Sequence, residues 1–290
     1  MADVTIGAVA ANFGRDLERC LSKLERIVRD ARHAGVDLLV LPHATLGGYL
    51  GDLVHPDPRA LPPALAEDSP QLARVAEVAR GMVVAVGYTE VVVCDGEAVT
   101  YNAAVCLTGD GVLGRHRKVH QPLGESLATR AGSTFEAFDT PVGRMGLMID
   151  YDKTFPESAR TLALDGATTI ACLCAWPASV TDRADRLSQD RQSRLFDIYD
   201  SARAAENQVV WVVSNQTGAM GGLRFLGQAK IVGPGGDVHA RTQGKGGLAV
   251  ATVDVEAELL RSRRTLHHLR ERVPSAYGGL GPEARPAVGP

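Results

Sequence analysis

No stretch of this chain stays apolar long enough to cross a bilayer as a helix, and no basic segment precedes an apolar run near Asp3. Both absences argue against a membrane span and a secretory leader, so the expected compartment is the cytoplasm. An excess of one charge is missing too. Against 34 Asp and Glu stand 31 Lys and Arg, a net charge of -3, which leaves no basic footprint for nucleic acid or an anionic membrane. The short cluster from Arg261 to Arg264 reads as a solvated helix end. Cysteine is scarce and odd in number: Cys20, Cys94, Cys106, Cys172 and Cys174 lack a paired zinc spacing and do not suit a disulfide framework. Reduced thiols are the expectation. No Gly-rich turn forms a phosphate loop and no dinucleotide fingerprint follows the first strand, so no organic cofactor is expected.

What is present is an ordinary globular composition. With 290 residues, 45% apolar and 22% charged, the chain can bury a large core as one domain or a tightly fused pair. Small-molecule chemistry is the function class that remains. Strand and helix signals alternate along it. Val4 to Ala10 is strand-like, Asp16 to Ala34 carries apolar residues at helical spacing, and Leu38 to Leu41 is a short buried strand, which makes a βαβ opening. A helical stretch from Ser69 to Arg80 precedes strands at Met82 to Tyr88, Val91 to Cys94 and Val99 to Leu107. The Asp95-Gly96 pair predicts a hairpin between the last two. A helix from Phe155 to Asp165 is entered through Pro156 and closed by Gly166, before a buried strand from Thr169 to Cys174. Arg186 to Asn207 is the longest helical stretch. Val209 to Ser214, Gly227 to Val232 and Leu248 to Val253 follow as strands that return the sheet to its edge. The segment Pro274 to Pro290 is too rich in Gly and Pro to add core and reads as an extended arm.

One stretch carries the most information: Gly146-Leu147-Met148-Ile149-Asp150-Tyr151-Asp152-Lys153-Thr154-Phe155-Pro156-Glu157. It reads as a buried strand that delivers a polar residue into a sharp turn, the place where many α/β enzymes display a nucleophile. Here the displayed residue is Asp150.

This stretch resembles the cysteine elbow of the nitrilase superfamily, the carbon-nitrogen hydrolases, whose form is Gly-x-x-Ile-Cys-Tyr-Asp-x-x-Phe-Pro-Glu. Asp150 stands at the cysteine. Arg117-Lys118-Val119-His120 resembles the family's lysine motif, and Leu41-Pro42-His43 its Leu-Pro-Glu, with His43 at the glutamate. Ala202 to Gln208, Ser214 to Gly218 and Gly233 to Gly236 match further landmarks in order, so the resemblance covers about residues 3 to 260. It implies an α/β fold of the four-layer α-β-β-α sandwich type over residues 1–273, with an arm over 274–290. It also implies a homodimer or larger homo-oligomer.

Carried over residue by residue, the family's glutamate, lysine and cysteine become His43, Lys118 and Asp150, and a further glutamate is matched by Glu125. The family's thiolate attacks a nitrile or amide carbon while the lysine stabilises the oxyanion. A carboxylate is a poor replacement, since its attack on an amide gives a mixed anhydride while expelling an amine. Acid/base work suits the altered set better: Lys118 holds Asp150 ionised, His43 serves as base or acid, and Lys118 with Glu125 polarises and orients the substrate. The result is an atypical enzyme acting on a C-N bond of a small molecule.

Alternatives stay open. His43, Lys118 and Asp150 form a satisfied buried ion network in a catalytically inactive scaffold or ligand-binding protein. Cys174 supplies a displaced nucleophile, or is simply packed beside Cys172. A metal held by His43, Asp150 and His120 or Glu125 is opposed by the Lys118 cation, and no metal is expected. Substrate contacts are expected from Tyr49, Tyr151, Cys174, Trp176 and Asn215. Asp152, Arg203 and Glu206 are expected to anchor the elbow and its helices, and Trp211 to lie in the core.

Overall fold

The computed structural model describes residues 3–242 and 246–277. Its strands are β1 (Val4–Ala11), β2 (Leu38–Val40), β3 (Ala64–Leu65), β4 (Val83–Cys94), β5 (Glu97–Thr108), β6 (Gly111–Arg117), β7 (Phe138–Thr140) and β8 (Gly143–Ile149). The second half adds β9 (Thr169–Cys174), β10 (Val210–Gln216), β11 (Ala219–Met220), β12 (Leu223–Arg224), β13 (Lys230–Val232), β14 (Val238–Arg241) and β15 (Gly247–Val253). The α-helices are α1 (Leu17–His33), α2 (Pro70–Ala79), α3 (Pro156–Leu164), α4 (Arg191–Asn207) and α5 (Val255–Arg263).

Apolar patterning explains how these elements layer. Val4, Ile6 and Ala8 of β1 share a core with Leu147 and Ile149 of β8 and Val210 and Val212 of β10, because alternate strand residues point to one face. The opposite faces pack against helices. Val9 and Leu39 meet Leu21, Leu24 and Val28 of α1 and Val75 of α2; Met148 and Trp211 meet Leu162 of α3 and Phe196 of α4. The outcome is a four-layer α-β-β-α sandwich. One sheet runs β6-β5-β4-β2-β1 with β15 beyond β1, and the other contains β10, β9, β8 and β7, with β13 and β14 on the far side of β10. They join at one seam, where Ala10 and Ala11 of β1 pair with Asn215 and Gln216 of β10.

Local chemistry fixes the element ends. Asp16 caps α1 by accepting from the Arg19 N–H at 3.0 Å, and Pro156 opens α3, where its missing N–H costs nothing. The hairpin turn uses Asp95 and Gly96, both at positive φ (53° and 84°), which matches the right-handed twist of the flanking strands. Pairing with β5 runs without a break from Val84 to Cys94, so the two segments read from sequence as Met82 to Tyr88 and Val91 to Cys94 are one strand. The helical stretch from Arg186 is split: Leu187–Gln189 is a 3-10 turn and α4 starts after Asp190. Of the expected arm, Pro274–Ala276 forms a single 3-10 turn, and residues 278–290 lie outside the described part. No helix among the described residues is long and apolar enough to cross a membrane.

Candidate active site

Strand C-termini converge on one end of the sandwich, where open α/β sheets bind ligands. His43 follows β2, Lys118 follows β6, Asp150 follows β8 and Ala175 follows β9. Each is held by its own backbone. The Lys118 N–H still donates to the Asn102 carbonyl at 2.8 Å, so the residue leaves β6 in register with β5. The His43 loop is tied across the seam: Gln216 Nε2 donates to the carbonyls of His43 (2.9 Å) and Ala44 (3.2 Å). Gly87 of β4 lies directly beneath it, and a Cβ there would meet His43 Cα at 2.6 Å; only glycine permits that approach.

Lys118 is the hub. Its Nζ lies 2.7 Å from Glu125 Oε2, 3.4 Å from Asp150 Oδ2 and 3.5 Å from the Tyr49 hydroxyl. Glu125 in turn accepts from the Tyr49 hydroxyl and, at 2.7 Å, from Asn102 Nδ2. Burial alone would push the Lys118 ammonium down, and the carboxylates of Glu125 and Asp150 reverse that, leaving it above its ordinary range. The cation is therefore permanent at neutral pH. Tyr49 is driven far up by burial and by Glu125, so it stays a neutral donor.

Asp150 occupies the elbow at φ 44°, a left-handed conformation that Asp tolerates better than most residues. Its Oδ1 accepts the Ala175 N–H and its Oδ2 faces Lys118. Burial raises its pKa and outweighs the opposing Lys118 charge and Ala175 hydrogen bond, so lysine is not what dominates its titration. His43 Nε2 is 3.9 Å from Asp150 Oδ2, beyond hydrogen-bond reach. Fully buried, with both ring nitrogens unpartnered, His43 is pushed down to about 3 by burial and by Lys118. It is a neutral imidazole at pH 7.

A cavity of about 300 Å³ opens over Asp150 and Lys118, within the size range of small-molecule sites. Tyr49, Tyr151 and Trp176 line it, whereas His43, Glu125, Cys174 and Asn215 do not. Glu125 and His43 stand behind the floor, and Asn215 acts on the wall by accepting the Trp176 N–H at 2.8 Å. Cys174 is packed among Trp176, Phe196 and Trp211, its Sγ 3.6 Å from that of Cys172. His120 pairs with Asp152 at 2.9 Å and stacks on Phe155. Sequence reasoning placed specificity in the loops Gly47 to Pro58 and Ser179 to Ser188, which contain the wall residues Leu53 and Val180, but missed Leu123, Gln192 and the Ala175 N–H. A backbone donor carries no residue-type signal; Gln192, two residues after the α4 cap Asp190, was visible only as a helical position.

The elbow is fastened from below. Asp152 accepts from the N–H groups of Ile149 (3.2 Å), Val119 (3.2 Å) and His120 (2.9 Å) and pairs with His116 at 2.9 Å, which binds the Asp150 turn to the Lys118 loop. Arg203 donates to the carbonyls of Lys153 (2.8 Å) and Thr154 (2.9 Å) and pairs with Glu206 at 2.9 Å. These are the anchoring roles expected of Asp152, Arg203 and Glu206.

A lysine at one strand end and an elbow at another thus share one cavity at the end of an α/β sandwich. The carbon-nitrogen hydrolase family model matches residues 5–265, and the chain belongs to that family. Among similar proteins, a nitrilase from Pyrococcus abyssi is 32% identical over 252 residues, covering 84% of this chain and 86% of the relative. A probable nitrilase from Schizosaccharomyces pombe is 33% identical over 184 residues, and the match spans 63% of each chain. The crystal structure of a carbon-nitrogen hydrolase from Helicobacter pylori G27 superposes with a TM-score of 0.82 at 23% identity, covering 96% of this chain and 98% of that one, which establishes the shared fold.

Proposed function

We propose that this protein is an atypical carbon-nitrogen hydrolase-family enzyme that cleaves an amide-type C-N bond of a small molecule, with Asp150 as general base in place of a thiol nucleophile. The observation that carries it is the position of the Asp150 carboxylate, at the floor of an open cavity beside the permanent Lys118 cation, unbridged by His43. A buried carboxyl with a raised pKa is a stronger base than an exposed one. In the proposed step, Asp150 takes a proton from water as the water oxygen bonds to the carbonyl carbon. Lys118 Nζ and the Ala175 N–H meet the developing oxyanion. The C-N bond then breaks, and the proton leaves with the amine. His43, behind the floor, is uncharged and does not compete for the proton. A homo-oligomeric state belongs to the proposal and is supported by exposed Leu260, Leu266, Val273 and Tyr277 along the C-terminal segment.

A second reading, ligand binding without turnover, is favoured by one observation: the two N–H donors that face the elbow are already engaged by Asp150 itself. Steady-state kinetics on neutral primary amides, nitriles and carbamoyl compounds separates the two. Asp150→Asn is expected to lower kcat by about 10²- to 10⁴-fold, the usual contribution of a positioned base, with KM little changed. Binding that persists in the wild type with no turnover of any compound would favour the second reading.

A further inference from the structure

We infer that the site takes amides or carbamoyl compounds whose remaining substituent is uncharged and apolar, with Leu123 and Val180 as the residues that set this specificity. The inference rests on the pocket assigned above and goes further by naming what its outer half recognises. Among the described residues lining the cavity, Asp150 is the only carboxylate and Lys118 the only cation, and both sit at the floor, where they face each other at 3.4 Å. The rest of the lining carries no charge: Leu53, Pro122, Leu123, Trp176 and Val180 supply its apolar surface, and Ser179, Thr181 and Gln192 its neutral polar groups. A substrate arm ending in a carboxylate or ammonium would lose water there with no counter-charge to meet it, a penalty that an alkyl or aryl arm does not carry.

Leu123 is the strongest evidence. It lies at φ 53°, an uncommon conformation for a bulky residue, and it is 61% exposed. Scattered exposed leucines are ordinary, but this one is strained, borders the cavity and is two residues from Glu125, which holds Lys118. The turn that presents it is clamped: the Gly124 N–H donates to the Leu53 carbonyl at 2.7 Å, and a Cβ on Gly124 would meet the Val54 carbonyl oxygen at 2.4 Å. Strain held by such over-determined packing clusters at ligand clamps. Across the mouth, Val180 is 36% exposed and belongs to a loop that the α4 cap fixes. Asp190 accepts from the N–H groups of Ser179 at 3.0 Å and Ala184 at 3.3 Å. Both apolar groups are thus presented on anchored backbone.

The test is calorimetric binding of three amides of similar length: hexanamide, the monoamide of glutaric acid and 5-aminopentanamide. Hexanamide is expected to bind at least about tenfold more tightly than either ionic amide, the scale on which apolar pockets discriminate. Leu123→Arg is expected to weaken hexanamide and to strengthen the glutaric monoamide, reversing their order. Leu123→Gly, which suits the positive φ and leaves the fold intact, is expected to weaken hexanamide alone. Ionic amides binding as well as hexanamide, an unchanged order in Leu123→Arg, or no binding of any of the three would each overturn the inference. Turnover of the same set is measured separately: binding in the expected order without hydrolysis sinks the catalytic proposal and leaves the specificity standing.

Discussion

At the scale of single residues, the altered positions differ in what they do. His43 is buried and neutral, with a pKa near 3 against an ordinary 6.5. Between those values the unfolded chain takes up a proton that the folded one refuses, so stability falls as pH drops from 6.5 towards 3, by up to about 1.4 kcal/mol per pH unit. Asp150 has the opposite sign: its raised pKa makes the folded chain bind the extra proton, so its contribution is lost as pH rises from 3.8 through the folded value. His43→Asn is therefore expected to flatten the acid side of the stability curve, measured as urea midpoints from neutral pH downward; an unaltered slope would show that His43 does not titrate as its burial requires. Neither sign was readable from sequence. The motif places His43 and Asp150 at the site, but a pKa depends on burial and on which of several carboxylates stands nearest to Lys118. That carboxylate is Glu125, not Asp150.

At the scale of elements, the elbow depends on what lies beneath it. Gly146 of β8 lets α3 approach: a Cβ there would meet Leu162 Cδ1 at 2.7 Å. Gly146→Ala is expected to destabilise the protein by about 1–3 kcal/mol through overpacking, read as a lower urea midpoint with an unchanged slope. Under α4, Lys153 and Lys230 are buried and converge on Asp200, at 2.7 and 2.9 Å, with Trp211 Nε1 donating to the same carboxylate at 3.0 Å. Asp200→Ala would leave the buried Lys153 ammonium without a carboxylate, Lys230 keeping Asp197, and is expected to cost about 3–5 kcal/mol, seen in the same unfolding experiment. Most element boundaries were legible because period, caps and turn residues agree, as at Asp16, Pro156 and Asp95-Gly96. The exceptions have local causes. The pairing of β4 with β5 runs through Glu90, whose buried carboxylate is paired by Arg117 at 2.5 Å, and Asp190 ends the 3-10 turn because its side chain is taken by the loop and the α4 cap.

At the scale of the whole molecule, two sheets back to back gather the ends of β2, β6, β8 and β9 over one cavity, and this long-range assembly is what the motifs alone could not display. Sequence resemblance places Lys118 and the elbow; it has no means of showing that Glu125 and His43 stand behind the floor, or that a backbone N–H from Ala175 reaches Asp150. Sedimentation velocity is expected to find a dimer or larger species, and a monomer at micromolar concentration would remove the self-association from the proposal. The central claim is that this site works on a C-N bond without forming a thioester. Its most direct test is intact-protein mass spectrometry during turnover of hexanamide, for the wild type beside a His43→Glu, Asp150→Cys double variant. The account predicts product from the wild type with no acyl adduct, and an acyl adduct on the double variant; an acyl group found on wild-type Cys174, or no product from the wild type, would contradict it.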